Sequence, residues 1–140
     1  MQISARNVLD AIITRLQPDS VTTEVGLQLP GGAPLVANLS RDSASAFKPG
    51  ETVRLIIKAS SVILLSGPPG AAISARNQLP GTVVALEESP VSTEVGIRLN
   101  AECTLFATIS HGGGQALGLR LGSPVTLAIK ASDVMLAQVG

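Results

Sequence analysis

The chain has 140 residues, and its ten basic residues balance ten acidic ones, so the formal net charge at pH 7 is zero. This balance argues against a surface that attracts nucleic acid or an anionic membrane through long-range electrostatics. A single cysteine excludes an intramolecular disulfide, and apolar residues make up 45% of the chain although aromatic residues make up only 1%.

Five segments in the first half of the chain are predicted to form strands. They lie at about residues 8–16, 21–29, 34–40, 51–58 and 61–65, and Pro- or Gly-containing turns separate most of them. The second segment alternates most clearly. We expect Val21, Thr23, Val25, Leu27 and Leu29 to face inward, and Thr22, Glu24, Gly26 and Gln28 to face outward.

A short helix is predicted between the third and fourth strands. The segment Arg41 to Phe47 lacks strand alternation, follows Ser40 as an N-cap candidate, and carries an acidic residue in its first turn. The corresponding segment of the second half begins His111-Gly112-Gly113-Gly114. We expect these glycines to delay the start of the second helix.

The second half of the chain repeats the first. Ile3-Ser4-Ala5-Arg6-Asn7 returns unchanged 70 residues later as Ile73-Ser74-Ala75-Arg76-Asn77. Lys58-Ala59-Ser60 returns as Lys130-Ala131-Ser132, which places a two-residue insertion in the second copy between Ser110 and Val125. The repeat predicts two domains, at residues 1–66 and 73–140, joined by a Pro- and Gly-rich linker at 67–72.

The order of elements in each half predicts the fold. Three strands, a helix and two strands within about 70 residues form the element order of a small oligonucleotide/oligosaccharide-binding (OB) barrel. The predicted fold is therefore all-β, with two tandem OB-type five-stranded barrels that each carry a short helix. Units of this size bury a thin core, so the apolar excess favours association with further subunits.

Localisation follows from what the sequence lacks. Apolar runs such as Val62-Ile63-Leu64-Leu65 stop far short of the roughly 18 residues that a membrane span needs. The first seven residues do not resemble the apolar region of a secretory signal. We expect a cytoplasmic protein without a membrane partner.

Both copies keep two sets of hydrogen-bond donors. Ser4 and Arg6, repeated as Ser74 and Arg76, combine a hydroxyl with a guanidinium, and each Lys-Ala-Ser adds an ammonium, a hydroxyl and an approachable backbone. Donors without matching acceptors favour an oxyanion, which charge-assisted hydrogen bonds hold tightly when water is excluded. Such a pocket needs donors on several sides and no carboxylate nearby, and we interpret Glu24 and Glu94 as members of surface or interface ion pairs.

These motifs, taken together, resemble a known family. Ile-Ser-Ala-Arg-Asn at the start of each half, a Val-x-x-Glu-Val strand and a later Lys-Ala-Ser are similar to the molybdate-binding Mop domain, and two such units in tandem resemble the di-Mop molbindins. The resemblance implies a homotrimer that stores molybdate, or tungstate, at interfaces between modules, with no organic cofactor and no metal bound directly by side chains. A helix-turn-helix segment and a phosphate-binding loop ending in Lys-Ser/Thr are absent from the sequence, so the free-standing storage form fits best.

The resemblance also implies which residues bind the oxyanion. In the first half they are Ser4, Arg6, Ser40, Ser43, Lys58, Ala59 and Ser60, and in the second half Ser74, Arg76, Ser110, Gly113, Lys130, Ala131 and Ser132. Gly113 departs from the pattern because it stands where Ser43 supplies a hydroxyl. The second pocket is therefore expected to use a backbone N–H or to bind differently.

Three other functions were weighed against oxyanion binding. Catalysis would have to use Cys103 or His111, but each occurs in one copy only, and we interpret them as a packed thiol and a surface-loop imidazole. The sequence lacks the aromatic stacking platforms and the basic groove on which single-stranded nucleic-acid binding relies. A purely structural oligomerisation module explains the apolar excess but not the repeated Arg and Lys.

Overall fold

A computed structural model of the chain describes residues 7–139. The first half contains five strands, β1 (Asn7–Pro18), β2 (Thr22–Gln28), β3 (Pro34–Ser40), β4 (Thr52–Ile57) and β5 (Ile63–Leu65). The second half contains β6 (Asn77–Glu88), β7 (Ser92–Asn100), β8 (Cys103–Ser110), β9 (Pro124–Ile129) and β10 (Met135–Gln138). Five strands in each half confirm the predicted all-β fold.

The strands form two antiparallel five-stranded sheets that exchange their edge strands. One sheet has the order β10-β4-β1-β2-β3 and the other has the order β5-β9-β6-β7-β8. Leu64 pairs with Leu127 of the second half, and Leu136 pairs with Leu55 of the first half. Each half thus completes its sheet with the last strand of the other half.

A bulge in the long first strand of each half curls the sheets. The register shifts between Ile13 and Arg15 in β1 and between Val83 and Ala85 in β6. An extra residue on one strand bends it and increases its twist. The curled inner faces enclose a core of aliphatic side chains, in which Val25, Leu55 and Leu127 are fully buried.

The alternation predicted for residues 21–29 holds except at Val21 and Gly26. Thr23, Val25, Leu27 and Leu29 are buried, but Val21 is 74% exposed because it lies in the turn before the strand, where its carbonyl accepts a hydrogen bond from Arg41 N–H. Gly26 was expected to face outward. It is buried because the side chain of Arg15 crosses it.

Both helices begin directly after a serine cap. Helix α1 (Arg41–Ala44) follows Ser40, which accepts a hydrogen bond from Ser43 N–H, and it is shorter than the predicted Arg41 to Phe47. Helix α2 (His111–Leu117) follows Ser110, which accepts from Gly113 N–H. The expected delay at the glycines is wrong, since the Ser110 cap outweighs their low helix propensity. Gly118 ends α2 at a φ of 61°, where glycine is favoured.

Two buried asparagines connect the halves. Asn7 donates from Nδ2 to the Phe106 carbonyl at 2.8 Å and accepts from Phe106 N–H at 2.7 Å. Asn77 makes the same pair of bonds to the backbone of Val36, both at 2.8 Å, and also donates to the Ile129 carbonyl. Each carboxamide therefore pairs, as a strand residue would, with the third strand of the other half.

We expect Asn77→Ala to lower the free energy of unfolding by about 2 to 4 kcal/mol, because it removes these bonds and leaves part-buried backbone groups of Val36 unpaired. Urea denaturation measures the change. Asn38→Ala, on the exposed face of β3, is the matched control and should change stability little. Equal losses in the two variants would contradict the role given to Asn77.

Candidate functional site

The second copy of the Ser-Ala-Arg-Asn motif alternates between exposed and buried residues. Ser74 and Arg76 are exposed, whereas Ala75 and Asn77 are buried. Since Asn77 fixes the backbone against β3, Arg76 is held at the surface next to the first half of the chain. Ser4 and Arg6, the corresponding residues of the first copy, lie outside the described residues.

Arg76 lines a cleft between the two halves. The cleft has a volume of about 550 Å³, and its lining combines Arg76 and Ala131 of the second half with Gln17, Pro18, Asp19, Thr22, Glu24 and Asn38 of the first half. Arg76 Nη2 donates to Glu24 Oε1 at 3.2 Å, and 56% of the arginine side chain remains exposed. The guanidinium thus retains N–H donors that face solvent.

The two Lys-Ala-Ser segments each form a 3-10 turn that packs against the other half. Ala59–Ser61 lies against β8, and Ala131–Asp133 lies against β3. Lys58 and Lys130 precede the turns, and Ser60 and Ser132 lie within them, all four exposed. The turn of each half therefore lies at the boundary with the other half, and Ala131 lines the same cleft as Arg76.

The serines at the start of α1 lie at a second opening. Ser40 Oγ donates to Ser43 Oγ at 2.9 Å and lines a cleft of about 650 Å³ together with Ser20, Val21, Arg41, Asp42 and Ser45. The two clefts adjoin, since Thr22 of the first pairs with Ser40 of the second across β2 and β3. A single chain thus brings Arg76 and Ala131 together and leaves Ser40 and Ser43 at the neighbouring opening.

The second half lacks the paired hydroxyls. Gly113 N–H donates to Ser110 Oγ at 3.0 Å, as Ser43 N–H does to Ser40, but position 113 has no side chain to contact Ser110. A Cβ there would come within 2.9 Å of Ser110 Oγ. The difference between Ser43 and Gly113 is therefore local, and the cap itself is the same in both halves.

Glu24 lies at the centre of a small ion-pair network. Its Oε2 accepts from Arg15 Nη2 at 2.7 Å, and its Oε1 accepts from Arg76. These pairs confirm the prediction that Glu24 takes part in an ion pair. The hydrogen bond from Arg15, followed by that from Arg76, holds the pKa of Glu24 below its ordinary value of 4.5, although desolvation acts in the opposite direction.

The Arg76 cleft contains carboxylates, although an oxyanion pocket was expected to have none nearby. Glu24 and Asp19 both line it. The two arginines neutralise Glu24, and Asp19 Oδ1 accepts from Ser20 N–H at 2.7 Å. Comparison of the two copies could not identify Arg15, because its counterpart at position 85 is alanine.

The two residues considered for catalysis have different surroundings. Cys103 is 2% exposed, as expected for a packed thiol, and burial raises its pKa, which disfavours the reactive thiolate. His111 does not lie in a surface loop as predicted. It is the first residue of α2, and its Nδ1 is buried without a hydrogen-bond partner. Among residues 7–139, no group of three or more His, Cys, Asp or Glu side chains is arranged to hold a metal ion.

Comparison with known proteins identifies the family. The model of the TOBE domain matches residues 3–64 and again residues 73–136. The chain belongs to the TOBE-domain family. Within the described part of this TOBE-domain chain, no helix is long and apolar enough to cross a membrane.

Individual relatives agree with this assignment. The chain is 40% identical over 139 residues to the molybdenum-pterin-binding protein MopA of Rhodobacter capsulatus, covering 98% of this chain and 52% of MopA. It is 38% identical over 64 residues to molybdenum-pterin-binding protein 1 of Clostridium pasteurianum, covering 46% of this chain and 94% of that protein. The TOBE-domain chain thus spans about half the length of MopA, and the predicted resemblance to Mop proteins is confirmed.

A solved structure matches the chain from end to end. The cytoplasmic molybdate-binding protein ModG, crystallised with molybdate bound, superposes with a TM-score of 0.92 at 34% identity. The match covers 99% of this chain and 100% of ModG. The arrangement of the two TOBE units in this chain therefore matches that of the solved ModG chain over its whole length.

The Glu24 network predicts a pH-dependent contribution to stability. Because the folded-state pKa of Glu24 is lowered, its contribution is complete above the unfolded-state pKa and is lost as the pH falls through the folded-state pKa. We expect Glu24→Gln to lower the free energy of unfolding by less than about 1 kcal/mol near neutral pH, since the group is partly exposed.

Urea denaturation of both proteins between about pH 6 and about pH 3 tests this, and the difference should shrink on acidification. Glu88→Gln, at an exposed residue with no ion pair among residues 7–139, is the control. A difference that grows towards acid pH would contradict the assignment.

Proposed function

We propose that this protein binds molybdate as a free oxyanion at the boundaries between its TOBE units. The observation that carries the proposal is the end-to-end structural match to ModG, which has molybdate bound. Relatives from two organisms are molybdenum-pterin-binding proteins, which supports a ligand that contains molybdenum.

The chemistry of the Arg76 cleft supports an oxyanion ligand. Molybdate is a tetrahedral dianion at neutral pH, so it needs donors on several sides. Arg76 offers unpaired N–H groups, and Thr22 offers a hydroxyl from the first half. In the turn that contains Ala131, the small alanine side chain leaves the backbone approachable, and the neighbouring Lys130 and Ser132 are exposed. Tungstate has nearly the same size and charge, and such donors should accept it as well.

The proposed binding residues are those implied by the resemblance, in both halves. Of the described members, Arg76 and Ala131 line the cleft between the halves, Ser40 lines the adjoining opening beside α1, and Ser110 and Gly113 lie at the start of α2. Further copies of the chain would close these clefts from outside, which agrees with the homotrimer that the resemblance implies. The two halves would act as the units 1–66 and 73–140, with 67–72 as linker.

The role we propose is cytoplasmic storage and homeostasis of the anion, without catalysis, an organic cofactor, a nucleic-acid partner or a membrane partner. The buried Cys103 thiol supports binding without covalent chemistry. Exclusion of water and hydrogen bonding by hydroxyl, amide and guanidinium groups suffice to retain a dianion.

Isothermal titration of the purified chain with molybdate, tungstate, sulfate and phosphate tests the proposal. We expect heat and a rise in melting temperature with molybdate and tungstate, because a ligand that binds only the folded state stabilises it. An equal response to sulfate would reduce the site to a general anion site. Indifference to every oxyanion would favour a structural oligomerisation module.

The double variant Arg6→Ala/Arg76→Ala tests the residues. It should abolish most molybdate binding, at least about a hundredfold in affinity, because each guanidinium supplies charge-assisted bonds of about 1.5 to 3 kcal/mol. Circular dichroism should show an unchanged fold. Arg54→Ala/Arg120→Ala removes the same charge from other surface positions and should retain binding, so equal losses in the two double variants would contradict a specific role.

A further inference from the structure

We infer that Arg15 is a positioning residue for anion binding at the Arg76 cleft, because it holds one oxygen of a carboxylate that would otherwise occupy the donors of Arg76. The inference rests on the proposed function and extends it to a residue that does not line the cleft. Arg15 acts on the anion through Glu24, which both arginines contact.

A β-bulge directs Arg15 to the outer face of its sheet. Ile13 is buried, whereas Arg15, two residues later, is exposed. Residues two apart in a regular strand lie on the same face, so the extra residue of the bulge moves Arg15 from the core side to the outer side. There Arg15 pairs with Gly26, and Glu24 lies two residues before this glycine on the same face of β2.

Gly26 provides the space in which the Arg15 side chain lies. A Cβ at position 26 would come within 2.7 Å of Arg15 Cγ, so the stem of the arginine passes directly over the glycine. From there the side chain reaches diagonally to Glu24, and Nη2 donates to Oε2 at 2.7 Å. This distance is typical of a charge-assisted hydrogen bond. The backbone of β1 and the missing side chain at position 26 thus give Arg15 a defined path to one oxygen of Glu24.

The two oxygens of Glu24 are divided between the two arginines. Oε2 accepts from Arg15, and Oε1 accepts from Arg76 Nη2 at 3.2 Å. A carboxylate whose two oxygens are both free can pair with a guanidinium through two parallel hydrogen bonds, which is a stronger arrangement. Because Arg15 holds Oε2, Arg76 donates a single N–H to Glu24 and keeps its other N–H groups for an anion in the cleft.

Loss of the Arg15 guanidinium would release the second oxygen. Glu24 would stay charged, and both of its oxygens could then bond to Arg76. An anion would have to displace this two-bond pair before the guanidinium could bind it. We therefore expect weaker anion binding although Arg76 itself is unchanged.

The other charged residues around the cleft do not take the place of Arg15. Asp19 lines the cleft, and Asp133 belongs to the turn that contains Ala131, but both are acidic. Lys130, which precedes that turn, makes no ion pair among residues 7–139. These charges are the same in every variant below, so they do not enter the comparison.

Molybdate titration of the unmodified chain, Arg15→Met, Glu24→Gln and the double variant tests this route. Methionine keeps an unbranched stem over Gly26 but has no donor. The affinity compared is that of the binding that Arg76→Ala removes. The titrations use about 0.3 M salt, which screens most of the direct attraction between Arg15 and the anion.

We expect Arg15→Met to weaken binding about fivefold, the most that one exposed ion pair contributes. The same change in the Glu24→Gln chain should alter the affinity less than about twofold, because glutamine cannot form the charged two-bond pair with Arg76. Equal affinities of the unmodified and Arg15→Met chains, or an equal loss in the Glu24→Gln chain, would overturn the inference while leaving molybdate binding intact.

Two control variants separate the position of the charge from the charge itself. Arg15→Lys keeps a cation beside Glu24 and should retain the affinity. Arg54→Met removes the same charge from another exposed ion pair, with Asp10, which lies outside the cleft, and should also retain the affinity. Circular dichroism and the melting temperature check that each variant is folded.

Nitrogen-15 NMR of the arginine side chains reports on Arg76 without a ligand. Its Nε–H signal, assigned by its loss in Arg76→Ala, should shift between the unmodified and Arg15→Met chains but not between Glu24→Gln and the double variant. A signal that Arg15→Met does not move would overturn the inference. Absence of molybdate binding by the unmodified chain would instead refute the proposed function, and the NMR comparison would still test the contact.

Discussion

The exchange of edge strands between the two halves is the constraint on which the rest of the structure depends. Neither sheet is complete without a strand from the other half, since β10 closes the first sheet and β5 closes the second. Asn7 and Asn77 add backbone-like hydrogen bonds across the same boundary. The boundary between halves is therefore a continuous part of the fold, and residues placed along it have fixed partners.

This constraint explains where the candidate site lies. Asn77 is bonded to β3, and the residue before it, Arg76, is consequently held beside Glu24 on β2. The Lys-Ala-Ser turns precede the exchanged strands and so lie against the other half. A motif of four residues thus combines a structural member, the buried asparagine, with a proposed binding member, the exposed arginine, and each has its neighbours in the other half.

Much of the fold could be predicted because its local signals are strong. The alternation of Thr23, Val25 and Leu27 indicates a half-buried strand, and Ser40 predicts a helix start by its capping chemistry. The errors have local causes as well. Val21 continues the alternation in sequence but lies in a turn, and the glycines of α2 follow a cap that begins the helix despite their low propensity.

The sequence by itself determined the duplication, the all-β elements, the donor motifs and the absence of a charged field for a polyanion. Tertiary structure alone decided which strands pair, because the short apolar sequences of β5 and β10 do not indicate which sheet each one completes. It also decided which carboxylate lies beside Arg76. It revealed the role of Arg15 as well, because Arg15 and its partner Glu24 are nine residues apart along the chain but lie close together across a bulged strand pair. Repetition identifies what two copies share, whereas the differences that separate them depend on contacts in space.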